Sequence, residues 1–340
     1  MLDIKGLLKN AYECGASDVH LCVGATPRMR IHGKLSKTNY PVLNPSDTLE
    51  ILLWLLSPEQ RNDFERDSSI DFAAQVDSVG RFRVNAYKQR GCISLSIRIV
   101  DSEIPDIEYL QVPKPLVDVI DKGRGLVLIC GEARSGKSAL IASLLNHINK
   151  NYEKNIITIE DPIEYVHTHD LSLINQREIG LDTADYYKGI QDALKEDPDV
   201  IFVKSFKDAS VIDACMDYAT MNRLVISSLN VCGSIACIKK IATYYNTEGR
   251  RALLSNLADS LSAIVSRKLC TSSSGEMVPA YEVCIINKEM RGFIREGRLN
   301  ELINCINKND SCILMDDYLK HLVEEGYIED AEAILHYLYV

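Results

Sequence analysis

The chain has 340 residues, of which 46% are hydrophobic and 25% are charged, the composition of an ordinary globular protein with room for two or three domains. A formal net charge of −10 argues against a generally basic surface for nucleic acid or an anionic membrane, so protein partners are expected instead. No apolar run approaches the ~20 residues of a membrane helix, and the N-terminus lacks a secretory signal pattern. We therefore expect a cytoplasmic chain without an integral membrane segment. The 11 cysteines follow no metal or disulfide spacing and are interpreted as buried free thiols.

The first hundred residues predict a small α+β domain over 1–103. The expected helices cover 4–14, 49–56 and a segment beginning at Ser57-Pro58, and the expected strands cover 16–23, 28–32, 70–76, 81–87 and 93–100. Alternation along 81–87 places Arg81 and Arg83 on one face, opposite Phe82 and Val84. By pattern alone, the face with the arginines is a solvated sheet surface.

A proline-containing stretch over 104–113 predicts a linker of limited flexibility, and a different pattern follows over 114–340. Short apolar strands alternate there with helical stretches, which predicts a parallel sheet with helices on both faces. These strands are 126–130, 155–159, 200–203 and 224–229. From about residue 287 to 340 the pattern is purely helical, with helices expected at 288–296, 298–306, 315–324 and 329–337. The apolar spacing of Leu319 and Leu322 in this C-terminal region favours packing against the core over a partner-binding face.

The most specific motif is Gly-Glu-Ala-Arg-Ser-Gly-Lys-Ser at 131–138, which lies between a predicted strand and a predicted helix. In this context it predicts a phosphate-binding loop, the name used below for 131–138, rather than a glycine-rich turn. Backbone N–H groups and the helix N-terminus would face the phosphates of ATP or ADP, with a lysine as point charge and a serine hydroxyl on Mg²⁺. The candidate nucleotide-binding residues are Gly131, Arg134, Ser135, Gly136, Lys137 and Ser138.

Three further segments end where a phosphate-loop protein places its chemistry, at the carboxyl ends of the sheet strands. The segment 158–164 carries Glu160, Asp161 and Glu164 directly after a strand, and the others are 197–208 and 224–230. Such carboxylates can hold Mg²⁺ and orient water, which makes Glu160 a candidate metal ligand beside Ser138. The alternative is a solvated turn capped by Asp161.

Six segments together resemble one family, in the family's order. They are 15–21 (Gly-Ala-Ser-Asp-Val-His-Leu), 79–85, 158–164, 174–178, 196–201 and 290–296. The chain is therefore similar to the secretion ATPases and, within them, to the type IV pilus retraction motors of the PilT and PilU type, which act in twitching motility. This resemblance implies a PAS-like N-terminal domain, a RecA-like P-loop ATPase core and a hexameric ring. It places the ring on the cytoplasmic side, peripheral to the inner face of the membrane, with an inner-membrane pilus platform protein as partner. It also implies that Arg81, Arg83 and Arg98 reach the nucleotide phosphates.

The departures from the family pattern concern hydrolysis. Where the family has Gly-Glu after its Walker B strand, this chain has Lys204-Ser205, and the two family histidines correspond to Arg223 and Asn230. Within the loop, the family's Pro-Thr-Gly is Glu-Ala-Arg over 132–134. Removing one positioned general base typically lowers the rate by about 10²–10⁴. Phosphate binding depends mostly on backbone N–H groups and on the loop lysine, so it can outlast hydrolysis.

Three hypotheses follow from this pattern. The first is a retraction-motor homologue that binds nucleotide and hydrolyses it poorly or not at all, acting as a structural or regulatory ring subunit, alone or with an active PilT-type paralogue. The second is an active ATP-hydrolysing retraction motor in which Glu160, Asp161 or Glu164 supplies residual catalysis. The third is a nucleotide-free adaptor with a vestigial loop.

Overall fold

A computed structural model describes residues 3–31, 33–77, 79–100 and 103–337. The chain divides into two compact units: unit 1 comprises Met1–Glu103 and Pro162–Val166, and unit 2 comprises Ile104–Asp161 and His167–Val340. His32, the last residue of the predicted strand 28–32, lies outside the described residues, as do 1–2, 78, 101–102 and 338–340 of the predicted domains. None of the helices in the described part of the chain combines the length and apolar character needed to cross a membrane.

Unit 1 is built on one antiparallel sheet with strand order β3-β2-β1-β6-β5-β4. Its elements are α1 (Ile4–Glu13), β1 (Ala16–Cys22), β2 (Arg28–Ile31), β3 (Lys34–Lys37), α2 (Pro45–Leu55), α3 (Pro58–Asp67), β4 (Ser69–Val76), β5 (Gly80–Gln89) and β6 (Cys92–Val100). The predicted helices and strands of this region are confirmed. The short strand β3 was not predicted, because all four of its side chains are exposed and they show no apolar alternation. The PAS-like character of unit 1 stays a prediction.

Local sequence explains where the two middle helices begin. Asn44 accepts hydrogen bonds from the first turn of α2 while Asp47 bonds back to the Asn44 N–H, and Ser57 and Gln60 form the same reciprocal cap on α3. Each helix has proline at its first position, where the missing N–H costs nothing. The two caps therefore fix where α2 and α3 begin in the segment between β3 and β4.

The two faces of β5 differ in burial, as its alternation predicts. Phe82 and Val84 are fully buried in the core of unit 1, together with Ile97 of β6 and Leu7 and Leu8 of α1. Arg81 and Arg83 lie on the opposite face and are partly exposed. The sheet of unit 1 therefore has one core face and one face that presents arginines.

Unit 2 is a seven-stranded sheet with order β13-β12-β7-β11-β10-β8-β9. Its strands are β7 (Gly125–Cys130), β8 (Asn155–Glu160), β9 (Leu173–Glu178), β10 (Val200–Val203), β11 (Leu224–Leu229), β12 (Leu261–Thr271) and β13 (Met277–Ile285). Its helices are α4 (Lys114–Asp121), α5 (Lys137–Asn151), α6 (Tyr186–Ala193), α7 (Ala209–Thr220), α8 (Ser234–Ala242), α9 (Thr247–Ser260), α10 (Lys288–Glu296), α11 (Leu299–Ile306), α12 (Met315–Glu324) and α13 (Asp330–His336). The four predicted strands and four predicted C-terminal helices are confirmed.

The prediction of a parallel sheet is right for six strands and wrong for the seventh. β12, β7, β11, β10, β8 and β9 pair in parallel, whereas β13 pairs antiparallel to β12 at the edge. The short 272–276 connection cannot hold the crossover that a parallel neighbour needs. β9, β12 and β13 were not predicted as strands, since charged residues such as Arg177, Arg267 and Lys268 interrupt their apolar patterns.

Helices cover both faces of this sheet, as predicted. Leu126 and Leu128 of β7 belong to the cluster that includes α7 and α9, whereas Val127 and Ile129 belong to the cluster that includes α4 and α5. In the C-terminal region, Leu319 and Leu322 are buried with Cys270 of β12 and Ala280 of β13, which confirms core packing for α12.

The stretch 104–113, predicted as a linker of limited flexibility, belongs to unit 2. Leu110 is 6% exposed, and its carbonyl accepts a hydrogen bond of 2.7 Å from the hydroxyl of Tyr281, which is fully buried in β13. This bond adds to the burial of Leu110 in the core cluster of unit 2 and to the bond from the Nζ atom of Lys150 to Asp106 at 3.0 Å.

Replacing Tyr281 with Phe is expected to lower the free energy of unfolding of unit 2 by about 1–3 kcal/mol, because the Leu110 carbonyl stays buried without its donor. Denaturant titration measures the loss, and limited proteolysis should show faster cleavage within 104–113. The matched control is Tyr109→Phe, since Tyr109 is 81% exposed and its change should leave both readouts unaltered. Equal effects of the two substitutions would contradict the assigned contact.

Candidate nucleotide-binding site

The glycines of the phosphate-binding loop are required by the close approach of β12. Gly131 and Gly136 have φ of +153° and +79°. A Cβ added at Gly136 would lie 2.7 Å from the Nη1 atom of Arg267, and one at Gly131 would collide with the backbone carbonyl of the same residue. Both positions therefore need glycine for space as well as for conformation.

Arg134 holds a backbone conformation that normally belongs to glycine. Its φ is +69°, in the left-handed region, and this is the position where the family pattern has glycine. For a residue with a Cβ, that region costs about 1–2 kcal/mol. The chain has thus changed the residue while keeping the shape of the loop.

The N-terminus of α5 has the groups that bind an anion. Gly136 stands at the N-cap position and provides no capping side chain, so N–H groups of the first turn remain for a ligand. The Oγ atom of Ser135 is buried and has no hydrogen-bond partner among the described residues. Ser138 is half-buried in the first turn of the same helix. A phosphate group fits the N-terminus of α5, since it would accept hydrogen bonds from these N–H groups.

Lys137 lies folded over the loop. Its Nζ atom donates hydrogen bonds to the carbonyls of Gly131, at 2.8 Å, and Glu132, at 2.6 Å. The ammonium group is therefore held at the centre of the loop. An incoming phosphate would have to compete with these two carbonyls for it.

Arg267 is a residue of this site that the sequence pattern did not reveal. It is 3% exposed in β12, its guanidinium donates to the carbonyl of Gly136, and it lies over the ring of Tyr281 at 5.6 Å from the centroid. In the sequence, Arg267 stands out only as part of an Arg-Lys pair within an apolar run. This pattern does not indicate which residues Arg267 contacts. β12 had not been predicted as a strand, so nothing placed Arg267 beside the loop.

Glu160 lies at the end of β8 and is 6% exposed. Its Oε1 atom accepts hydrogen bonds from the Oγ1 atom of Thr158, at 2.7 Å, and the Nε2 atom of Gln176, at 3.2 Å. Asp161 is exposed, and its carboxylate lies 3.9 Å from the Nζ atom of Lys207. Glu160 is thus an ordered, buried carboxylate, whereas Asp161 is a solvated one.

Ser205 follows β10 at the position where the family pattern has a carboxylate, and it is half-buried. The next carboxylate along the chain, Asp208, caps α7: it accepts hydrogen bonds from the Ser210 hydroxyl, at 2.6 Å, and the Val211 N–H, at 3.0 Å. The bonds from Ser210 and Val211 hold the pKa of Asp208 below its usual value. A carboxylate committed to a helix cap with a lowered pKa is a poor general base for water.

The two positions that match the family histidines lie at opposite ends of β11. Arg223 precedes the strand, and its guanidinium donates to Asp197 at 3.0 Å and to Asp199 at 2.8 Å. Asn230 follows Leu229, whose carbonyl accepts from the Gly131 N–H at 3.3 Å. Six strand residues separate the two positions by roughly 20 Å. The structure therefore places Asn230 next to the phosphate-binding loop and Arg223 at the opposite end of β11.

The three predicted phosphate-sensing arginines lie on the exposed face of unit 1. Arg83 makes a two-pronged ion pair with Asp71, with Nε at 3.1 Å and Nη2 at 2.6 Å. The Nε atom of Arg98 donates to Asp18 at 3.1 Å, and the Nε atom of Arg81 donates to the carbonyl of Ile163 at 3.0 Å. Each arginine is thus oriented by a partner within unit 1.

The Asp18 carboxylate accepts hydrogen bonds from Ser17 and Arg98 and so holds Arg98 in place. Burial raises the pKa of Asp18, but hydrogen bonds from Ser17 and Arg98 outweigh that effect and bring the pKa below its usual value. Asp18 is therefore ionised at neutral pH and keeps Arg98 in place.

A cavity of 240 Å³ in unit 1 is lined by Arg83, Arg98 and Glu164, among other residues. Glu164 belongs to the 162–166 segment and so to unit 1, whereas Glu160 and Asp161 belong to unit 2. The three carboxylates predicted as one cluster are therefore divided between the two units, and Glu164 is grouped with the arginines.

Comparisons with known proteins identify the family. A family model described as Type II/IV secretion system protein matches residues 2–321. The chain is 33% identical over 334 residues to the type IV pilus retraction ATPase PilT of Pseudomonas aeruginosa, across 98% of this chain and 97% of the relative. It is 29% identical over 338 residues to the type IV pilus ATPase PilU of that organism, across 98% of this chain and 88% of the relative.

A solved structure gives the same result at the level of the fold. The crystal structure of the pilus retraction motor PilT with bound ADP aligns with a TM-score of 0.92 and 35% sequence identity, across 98% of this chain and 97% of that chain. This similarity confirms the predicted α/β class with a RecA-like core. The chain therefore belongs to the type II/IV secretion system protein family, in its group of type IV pilus retraction ATPases.

Proposed function

We propose that this chain is a PilT-like retraction-motor homologue of twitching motility that binds ATP or ADP but hydrolyses ATP slowly or not at all. In this proposal it acts as a structural or regulatory subunit of a ring. The observation that carries the proposal is Ser205, which stands after β10 where the family pattern has the carboxylate that activates or orients water. A serine hydroxyl cannot take that proton near neutral pH.

Nucleotide binding is supported by the parts of the loop that do not depend on the lost residues. The glycine conformations and the uncapped N-terminus of α5 together suit a phosphate. Lys137 is already at the loop centre, so phosphate binding exchanges two carbonyl contacts for phosphate oxygens. The relative whose structure contains ADP shares 35% identity with this chain.

Residues for Mg²⁺ are also present. Ser138 would supply its hydroxyl, and the ion would neutralise phosphate charge. Glu160 is the last residue of β8, which lies three strand positions from β7, or about 14 Å at the usual strand spacing. That separation favours a role for Glu160 through water over direct coordination of the same ion.

Loss of hydrolysis is supported by what the remaining carboxylates do. Glu160 accepts two side-chain hydrogen bonds, Asp161 lies near Lys207, and Asp208 caps α7. Asn230, which replaces a titratable histidine beside the loop, can donate and accept hydrogen bonds but cannot transfer a proton. Each group near the strand ends is suited to holding the structure rather than to proton transfer.

Assembly is proposed from the relatives. Similarity to PilT and PilU over nearly the whole chain supports a hexameric ring of identical subunits or one shared with an active PilT-type paralogue. The ring would sit in the cytoplasm at the inner face of the cytoplasmic membrane, against the pilus platform protein. Binding nucleotide without turnover would let such a subunit stabilise one state of the ring.

Two other functions each have an observation in their favour. An active motor is favoured by the preserved loop and by the buried Glu160, which could orient water with Mg²⁺. A nucleotide-free adaptor is favoured by Lys137 folded onto the loop carbonyls and by the guanidinium of Arg267 bonded to Gly136. Separate measurements of binding and of turnover distinguish all three.

The purified chain is expected to bind ATP and ADP with Mg²⁺ in calorimetry, and to show steady-state ATP hydrolysis near background. Lys137→Ala should abolish binding, because it removes the charge at the loop centre. Lys150→Ala, at the other end of α5, is the matched control and should bind normally. Hydrolysis at the rate of ordinary motors that Lys137→Ala abolishes would establish the active motor, and its sensitivity to Glu160→Gln or Glu164→Gln would identify the group responsible. Absence of nucleotide binding would support the third function, the nucleotide-free adaptor.

Restoring a carboxylate should restore turnover if the rest of the site is intact. Ser205→Glu is expected to raise the rate of ATP hydrolysis by about 10²-fold or more, the lower end of what a positioned base contributes. Ser205→Gln has the same shape without the charge and should leave the rate at background. A rate that both substitutions leave unchanged would mean that Ser205 is not the limiting loss.

Arg134→Gly should raise the free energy of unfolding of unit 2 by about 1 kcal/mol, because glycine occupies φ of +69° without steric cost. Arg134→Ala keeps a Cβ in the same conformation and removes the charge, so its stability should stay near that of the unmodified chain. Denaturant titration of the three proteins checks this expectation. An equal gain from both substitutions would assign the effect to charge rather than to backbone strain.

A further inference from the structure

A second group of polar side chains lies outside the phosphate-binding loop, where α13 packs against β12. The Sγ atom of Cys270, a carboxylate oxygen of Glu332 and a ring nitrogen of His336 all lie within 4.8 Å of one another. Cys270 is fully buried, and the other two side chains are half-buried. We propose that these three side chains form a binding site for a transition-metal dication of the Zn²⁺ class.

The fold holds the three groups in place independently of any metal. Glu332 and His336 are four residues apart on α13 and therefore share one face of the helix. The Thr271 N–H donates to the Oε1 atom of Glu332 at 2.7 Å, and the Nζ atom of Lys268 donates to the His336 carbonyl at 2.7 Å. The side chain of Ala333, between them in sequence, is fully buried in the C-terminal cluster. The two helix ligands thus face the buried thiol from a helix that is bonded to the strand on both sides of Cys270.

The donor set selects the metal. A thiolate, an imidazole and a carboxylate are the three ligand types that Zn²⁺ accepts, whereas Mg²⁺ and Ca²⁺ bind oxygen ligands. The Oε1 atom of Glu332 lies 3.1 Å from the Nε2 atom of His336. Two such ligands at about 2.0–2.2 Å from one tetrahedral ion lie roughly 3.4 Å apart, so small movements would admit the ion. Three protein ligands leave the fourth position to water.

The charges balance when the ion is bound. A metal binds the deprotonated thiolate, so binding would release the proton of Cys270. Once that proton has left, the thiolate and the carboxylate together carry the two negative charges that a dication neutralises.

Two of the three proposed ligands lie beyond the part of the chain that the family model matches. The family match ends at residue 321, whereas Glu332 and His336 lie on α13 beyond it. A metal here would fasten α13 to β12. The proposed metal site and the proposed nucleotide site have no residue in common, so the metal proposal does not depend on the nucleotide function.

The test uses the full chain stripped of metal with a chelator and titrated with Co²⁺ as a spectroscopic probe. We expect thiolate-to-Co²⁺ charge-transfer absorption that saturates at one equivalent, is displaced by one equivalent of Zn²⁺ and persists in excess Mg²⁺. Cys270→Ser should abolish the absorption. Glu332→Gln and His336→Gln should each weaken Co²⁺ binding by more than the roughly 10–100-fold that follows loss of a mere supporting contact.

Matched controls keep the test decisive. Cys305→Ser changes another buried thiol, His321→Gln changes another helical histidine, and Lys137→Ala changes the phosphate-binding loop. All three should retain the one-equivalent absorption, and circular dichroism should show every variant folded. Absence of the absorption in the folded unmodified chain, its survival in Cys270→Ser, or saturation at several equivalents shared among the free thiols would each overturn the proposal.

Discussion

The close packing of β12 against the phosphate-binding loop is the constraint on which the site in unit 2 depends. Arg267 occupies the space that side chains at Gly131 and Gly136 would need, so the loop keeps glycine at these two positions. Arg267 itself lies over the ring of Tyr281, whose hydroxyl bonds to Leu110. The path of the loop, and with it the direction of the N-terminus of α5, is therefore tied to an antiparallel hairpin at the edge of the sheet and to the segment that precedes α4.

Binding and hydrolysis rest on different kinds of group, which explains how a chain can keep the one and lose the other. The donors that face a phosphate are mostly backbone N–H groups, and they persist as long as the loop keeps its shape. Even Arg134, which lacks glycine's freedom, adopts the left-handed conformation that the loop requires. Proton transfer, in contrast, needs one side chain at one place. At that place, two residues after the end of β10, this chain has Ser205, and no change of backbone compensates for a missing carboxylate.

Charged groups in the two units differ in how readily they can change partners. The pair Arg83–Asp71 is exposed on both sides, and exposed ion pairs contribute only about 0–1 kcal/mol. Arg83 can therefore exchange its carboxylate for a phosphate at little cost, whereas moving Arg98 would take a partner from the buried Asp18. Glu160 is buried and accepts two side-chain hydrogen bonds, so moving it would leave buried donors unpaired. Arg83 is therefore suited to ligand contact, and Glu160 is suited to a fixed position.

The sequence by itself determined most of the helices and strands, the phosphate-binding loop and the family, because strand-like alternation, helix caps and contiguous motifs are local properties of the chain. The strands β3, β9, β12 and β13 lack that local signal and were not predicted. The sequence also showed that Ser205 and Asn230 lack the chemistry of the residues they replace. Only the tertiary structure decided that Arg267 touches the loop, that Glu164 joins the arginines of unit 1 and that the guanidinium of Arg223 binds Asp197 and Asp199. Only the tertiary structure brought Cys270 to Glu332 and His336. These contacts join residues distant in sequence, or depend on strand order, and no local pattern specifies which strands become neighbours.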